Sequence, residues 1–95
     1  MKIAVFGPRR RVGVVLDDTI VDINGAYLAY LVEKENSERA AARAAYEVPA
    51  DLTSFIEQGD AALAAARTAL DHLAGRGDVV GCDGETLVYS LADVT

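Results

Sequence analysis

The sequence predicts a small α+β domain in which an antiparallel β-meander and a hairpin carry three to four helices. Three observations lead to this prediction. Short β-branched runs fill the first 23 residues and recur near the C-terminus, alanine- and leucine-rich runs with helical spacing fill the middle, and turn residues separate these runs. The 95 residues form a single domain by their length.

The charge balance restricts the partners of this domain. Nine basic and fifteen acidic residues give a formal net charge of −6, which disfavours binding to nucleic acid and to acidic membrane surfaces. The start of the chain is too short for a signal peptide before Gly7 and Pro8 interrupt it, and no apolar run is long enough to span a bilayer. A single cysteine, Cys82, fits a reducing compartment. We therefore expect a cytoplasmic protein.

Turn residues define the three strands of the meander. Strands are predicted at residues 2–6, 12–16 and 20–23, with turns at 7–11 and 17–19. Gly13, inside the second strand, indicates either a β-bulge or a close approach of another backbone. The only basic cluster, Arg9, Arg10 and Arg11, is then predicted on a solvated hairpin tip and not at a phosphate or partner site.

Two helical runs follow the meander. Asn24 is predicted to cap a first helix, whose apolar face consists of Tyr27, Leu28, Leu31 and Val32. Ser37 is predicted to cap the alanine-rich run from Glu38 to Tyr46. That run forms either a helix or an arm that becomes ordered only against a neighbour.

The next stretch, residues 49–75, contains two helices joined at a corner. The first helix begins near Pro49 and places Leu52, Phe55 and Ile56 on one side, which must be covered. Gly59 is predicted to end this helix with a positive φ, and Asp60 to cap the next helix through its side chain.

The second of these helices ends the helical part of the chain. It presents Leu63, Ala66, Leu70 and Leu73 on one side until Gly75 ends it. A hairpin of residues 79–80 and 86–89 follows, with its turn at 81–84 and an extended path from 89 to 95.

The titratable residues give no pattern that supports catalysis. His72 is predicted to be a surface residue roughly opposite Leu63, and a glycine-containing loop separates it from Cys82 with no sign that the two residues pair. Glu33 and Glu35, two apart on a helix, point about 200° away from each other and cannot share a metal ion. The carboxylates around the second turn are predicted to bond their own backbone instead of a cation: Asp17, Asp18 and Asp22. We therefore predict no catalytic, cofactor-binding or metal-binding residue in this chain.

Five segments nevertheless give a recognisable order. They are MKIAVFGP at residues 1–8, RVGVVLDD at 11–18, IVDINGAY at 20–27, VPADLTSFIEQGDAAL at 48–63 and LVYSLADVT at 87–95. In order and spacing this chain resembles the N-terminal domain of the fumarylacetoacetate hydrolase family, which includes acylpyruvases and 2-hydroxyhepta-2,4-diene-1,7-dioate isomerases. The resemblance covers essentially all 95 residues.

The resemblance implies a part of a larger enzyme. Such enzymes use Mg²⁺ or Mn²⁺ to act on acylpyruvates and related 2-oxo acids, by C–C hydrolysis, isomerisation or decarboxylation. Their Glu-x-Glu metal pair and catalytic histidine belong to a larger C-terminal domain, so Glu33, Glu35 and His72 inherit no role. The implied partner is that catalytic domain, absent from this chain, in a full-length protein expected to be a homodimer.

Two other hypotheses compete with this one. The chain is alternatively a free-standing binding or oligomerisation module, which uses the apolar side of the helix at 60–74 or the alanine-rich run. A small enzyme built on His72 and Cys82 is the third hypothesis, and it requires a reactive thiol.

Overall fold

A computed structural model describes residues 2–7, 10–16, 19–36, 38–76 and 87–90 of the chain. The elements in these ranges form an α+β domain, as predicted. They are β1 (Lys2–Phe6), β2 (Arg11–Leu16), β3 (Thr19–Asp22), α1 (Ile23–Glu33), α2 (Ala40–Glu47), α3 (Leu52–Gln58), α4 (Asp60–Arg76) and β4 (Val88–Ser90). No helix in these ranges is both long and apolar enough to cross a membrane.

The four strands make one antiparallel sheet in the order β1-β2-β3-β4. The predicted meander is confirmed, and Ile3 pairs with Val14, which in turn pairs with Val21. The last strand joins the same sheet, because Val88 pairs with Val21 on β3. The other half of the predicted hairpin, residues 79–80 and their turn, lies outside the described residues.

Gly13 marks a close approach and not a bulge, since its pairing with Ala4 and Asp22 is continuous. A Cβ atom at Gly13 would lie 2.6 Å from Cγ1 of Ile20 and 2.9 Å from the carbonyl oxygen of Val21. The missing side chain therefore leaves the room in which Ile20, 1% exposed, is buried.

Two aromatic rings from the edge strands of the sheet lie on the same face as Gly13 and Ile20. Phe6 of β1 and Tyr89 of β4 have ring centroids 5.3 Å apart. Because paired residues of antiparallel strands share a face, both rings lie on the side of Gly13 and Ile20. The other face of the sheet carries Val12, Val14 and Val21, which belong to the core that packs against the helices.

The helix α1 is the centre of the main core, where it contacts β2, β3, α2 and α4. Its most buried apolar residues are Ile23, Ala26, Tyr27, Ala29 and Leu31. The N-cap is Asp22, whose carboxylate accepts a hydrogen bond from the Gly25 N–H, and not Asn24 as predicted. Val32, which the spacing placed on the apolar face, is 39% exposed at the end of the helix.

The alanine-rich run forms the ordered helix α2 and not a detached arm. Ala40 and Ala44 are buried against α1, because alanine lets two helix backbones approach closely. The helix begins later than predicted, after Arg39, which makes no side-chain cap. The predicted cap Ser37 lies outside the described residues.

The corner between α3 and α4 follows the predicted order with shifted caps. Asp51 and not Pro49 starts α3, since its carboxylate accepts a hydrogen bond from the Ser54 N–H. Gly59 ends α3 with φ of 62°, as predicted. Asp60 is the first residue of α4 and not its N-cap, and its negative charge there complements the helix dipole.

The buried stripe of α4 consists mainly of small residues: Ala62, Ala66, Ala69 and Leu73. Leu63 and Leu70 flank this stripe and are partly buried against the core. The predicted apolar side is thus confirmed, but its centre is made of alanines, which allow α4 to pack closely on α1. The helix extends one residue past Gly75 to Arg76.

Candidate functional site

A polar cluster joins α1 and the residues that follow it to α2. The Tyr27 hydroxyl donates a short hydrogen bond to Glu47 Oε1. Arg43 Nε lies 2.8 Å from Glu47 Oε2, and Arg43 Nη1 lies 2.8 Å from Glu35 Oε1. One guanidinium group therefore links two carboxylates, and the buried tyrosine fixes one of them.

The ionisation of this cluster follows its contacts. Hydrogen bonds from Arg43 lower the pKa values of Glu35 and Glu47, and the two carboxylates together raise the pKa of Arg43. Burial raises the pKa of Tyr27, and the hydrogen bond to Glu47 raises it further. At neutral pH the cluster is an arginine between two carboxylates with a neutral phenol, and its members bind each other. This arrangement explains how α2 is held on α1 and leaves no free base.

His72 is not the surface residue that the helical wheel predicts. Its side chain is only 5% exposed, and its ring packs edge-on against Tyr30 with centroids 5.7 Å apart. Nε2 lies 3.4 Å from Glu33 Oε1, which would be an ion pair only if the histidine were protonated. The contact between Nε2 and Glu33 does not have the geometry of a hydrogen bond, so within the described part of the chain Nε2 is buried without a hydrogen-bond partner. The reason for the error is that α1 covers this flank of α4.

Arg11 is not on a solvated tip either. It is the first residue of β2, and its guanidinium group makes two hydrogen bonds to the Asp22 carboxylate at 2.9 and 3.0 Å. Its Nη2 atom also donates to Asn24 Oδ1, while Asn24 Nδ2 donates to the Val48 carbonyl oxygen. These contacts connect β2, β3, α1 and the chain before α3. Arg10 remains exposed, with φ of 52°, as expected for a turn.

The acidic residues do not converge on a cation site in the described ranges, where no group of three or more metal-binding side chains is found. Glu33 is the last residue of α1 and Glu35 lies beyond it, so the prediction that both are helical is wrong for Glu35. The Asp22 carboxylate accepts hydrogen bonds from the Arg11 guanidinium group and from the Gly25 N–H at the start of α1. The predictions for Asp17, Asp18 and Cys82 concern residues outside the described part.

An apolar groove at the corner of α3 and α4 is the strongest candidate for a functional site. Its volume is about 330 Å³, and its walls are Ile3, Leu52, Phe55, Ile56, Gly59, Asp60 and Leu63. Phe55 is buried at its base, whereas Leu52 is 39% and Ile56 is 65% exposed. The predicted apolar side of α3 is therefore only partly covered by the residues that the structure describes.

The sequence signal for this groove was the spacing of the α3 residues. The side chain that the sequence did not associate with them is Ile3, because only the folded sheet brings β1 next to α3 and α4. An exposed isoleucine and an exposed leucine beside an open apolar groove are typical of a surface that contacts another protein.

Comparisons of this chain with known proteins give no match to a family model, to a curated protein or to a solved structure.

Proposed function

We propose that this chain is the small N-terminal domain of a fumarylacetoacetate hydrolase-like enzyme in the cytoplasm. In this proposal the domain supplies no ligand to the metal and no catalytic group. It supports the catalytic C-terminal domain by packing against it, and the groove between β1, α3 and α4 is the contact surface.

The single observation that carries the packing role is the incomplete cover of α3. Ile56 exposes 65% of its surface and Leu52 exposes 39%, next to a groove with mostly apolar walls. Burial of an isoleucine or leucine side chain contributes about 1.5–3 kcal/mol, so a neighbour that covered this surface would stabilise both domains. The resemblance of the five segments supports the choice of that neighbour.

The proposed chemistry belongs to the neighbouring domain. That domain would bind Mg²⁺ or Mn²⁺ through its carboxylates and would act on an acylpyruvate or a related 2-oxo acid. The reaction would be C–C hydrolysis, isomerisation or decarboxylation. In this chain, the polar cluster of Tyr27, Arg43 and Glu47 holds α1 and α2 together and takes no part in that reaction.

The first test combines the gene sequence with an activity assay. We expect the reading frame to continue into a domain with a Glu-x-Glu segment, and the longer protein to convert an acylpyruvate in the presence of Mg²⁺ or Mn²⁺. The purified 95-residue chain should give no turnover. A stop codon directly after Thr95 would refute the assignment and favour the free-standing module, and turnover by the short chain would refute the non-catalytic role.

The second test examines the contact surface in the longer protein. Ile56→Glu should lower the melting temperature of that protein and reduce its activity, because a charge in the interface separates the two domains. Thr53→Glu is the matched control, since Thr53 is exposed on the same helix but does not line the groove. Equal effects of the two variants would contradict a contact at the groove.

A further inference from the structure

We propose that the groove between β1, α3 and α4 receives a protein segment that carries two large apolar side chains flanked by lysine or arginine. This inference rests on the proposed packing role and adds the chemistry of the partner segment to it. The argument uses the volume of the groove, the character of its walls and the charges around it.

The volume sets the number of side chains. A cavity of about 150 Å³ lined by apolar residues accommodates one benzene molecule. At about 330 Å³, the groove has space for two groups of that size. Residues at i and i+4 of one helix lie next to each other on its surface, so a single helical turn of a partner provides two such groups.

The walls favour a protein segment over a small polar ligand. Asp60 is the only one of the seven wall residues with a polar side chain, and the others are apolar or glycine. Ligand sites usually combine apolar walls with several convergent polar groups, which fix the orientation of the ligand. One carboxylate at the edge of an apolar groove instead resembles the anatomy of a protein interface, with an apolar centre and a charged rim.

The rim is acidic. Between residues 49 and 66 the sequence has three acidic residues, Asp51, Glu57 and Asp60, and no basic residue. All three are exposed. Hydrogen bonds from Ser54 hold the pKa of Asp51 below its usual range, so this carboxylate is ionised at neutral pH. Positive groups on the partner are therefore favoured next to its apolar side chains.

Two of the described basic residues, Lys2 and Arg67, lie close in sequence to wall residues of the groove, and neither forms an ion pair with Asp51, Glu57 or Asp60. Lys2 precedes Ile3 on β1, and neighbouring residues of a strand point to opposite faces, so Lys2 lies on the other face of the sheet. Arg67 lies one helical turn beyond Leu63 on α4 and is exposed. A second copy of this chain is disfavoured as the occupant, because a symmetric contact would bring the two acidic rims together.

The test is a photo-crosslink from the groove in the longer protein. Ile56→p-benzoylphenylalanine places the reactive ketone at the exposed wall, and Thr53→p-benzoylphenylalanine is the control on the same helix. Mass spectrometry then identifies the peptide that is linked to position 56. We expect a segment with at least two large apolar residues and with flanking lysine or arginine, and no such product from position 53.

A synthetic peptide of the linked segment then tests the charges by titration against the 95-residue chain. The double variant Glu57→Gln and Asp60→Asn should weaken binding about 2- to 30-fold, because it removes two carboxylates that can form exposed ion pairs with the partner. Added salt should weaken the wild-type complex more than the variant complex. A linked segment without basic residues, a link to a second copy, the absence of a specific product or an unchanged affinity would each overturn the inference.

The results also separate this inference from the proposed function. A basic, apolar segment from an unrelated protein would support the inference and refute the domain assignment. A neutral or acidic segment from a Glu-x-Glu domain on the same chain would do the reverse.

Discussion

Gly13→Ala tests how tightly the sheet face opposite the helices is packed. The added methyl carbon would lie 2.6 Å from Cγ1 and 2.8 Å from Cδ1 of Ile20, and 2.9 Å from the Val21 carbonyl oxygen. Real Cβ atoms essentially never come this close, so both the Ile20 side chain and the β3 backbone at Val21 must move relative to Gly13. Ile20 is 1% exposed and has little room to move.

The expected cost follows from two opposing contributions. Overpacking by one methyl group destabilises a protein by about 1–3 kcal/mol. Alanine restricts the unfolded chain more than glycine, which returns about 0.5–1 kcal/mol. We therefore expect Gly13→Ala to lower the free energy of unfolding by about 1–2 kcal/mol, measured by urea denaturation.

A double-mutant cycle with Ile20→Ala identifies the cause. Ile20→Ala removes both side-chain atoms that meet the new methyl group, so Gly13→Ala should cost about 1 kcal/mol less in that background than in the wild type. Gly59→Ala is the control. Its Cβ would meet no atom within 4 Å but would require φ of 62°, so its cost of about 1 kcal/mol should not depend on Ile20. An equal cost of Gly13→Ala in both backgrounds, or a gain in stability, would refute the packing argument.

Three further predictions concern the polar contacts. The pKa of Tyr27 is raised in the folded state, so the contribution of Tyr27 to stability is complete below the unfolded pKa of about 10 and is lost as the pH rises above that value. Tyr27→Phe should therefore reduce the loss of stability at alkaline pH, measured by urea titrations between about pH 8 and 11. An equal loss in the wild type and the variant would contradict the role of Tyr27 in this loss. Asp22→Ala should lower the free energy of unfolding by about 2–3 kcal/mol, because it removes the N-cap of α1 and leaves Arg11 without its carboxylate partner. Asp22→Asn retains the cap and should lower the free energy of unfolding by only about 1 kcal/mol. Equal losses for the two variants would refute this account. His72→Phe should raise the melting temperature near pH 8, because it replaces a buried Nε2 atom that has no hydrogen-bond partner in the described part of the chain. His72→Ala should lower the melting temperature, because it leaves a cavity. A lower melting temperature for His72→Phe would indicate that Nε2 has a hydrogen-bond partner.

The fold could be predicted from local signals because most of its elements carry their own. The spacing of apolar residues predicted α4, and Gly59 predicted the corner where the observed φ is positive. The helix starts were less accurate, since several residues near each start are suitable caps. Asp22 and Asn24 are both good N-cap residues. Asp22 is the cap because α1 begins directly after β3, at Ile23.

Neither the Ile3 wall of the groove nor the contacts of Arg11 and His72 could be predicted, because each depends on residues distant in sequence. Arg11 is part of a basic triplet in the sequence, but the pairing of β2 with β3 places it beside Asp22, eleven residues later. His72 lies outside the predicted stripe of α4, yet α1 covers it. A helical wheel describes one helix alone, so it identifies the most buried side but not the flanks that a second helix covers.

The position of the groove separates its proposed role from the folding of the domain. The core is formed around α1, with β2, β3, α2 and α4, whereas α3 contributes Phe55 as its single buried residue. The chain before α3 is held independently, since the Val12 N–H donates to the Ala50 carbonyl oxygen at 2.6 Å. Side chains on the outer surface of α3 can therefore change without loss of the core. For this reason Ile56 and the acidic rim are suitable positions to test partner binding, because a defect there reports on the interface and not on the stability of the fold.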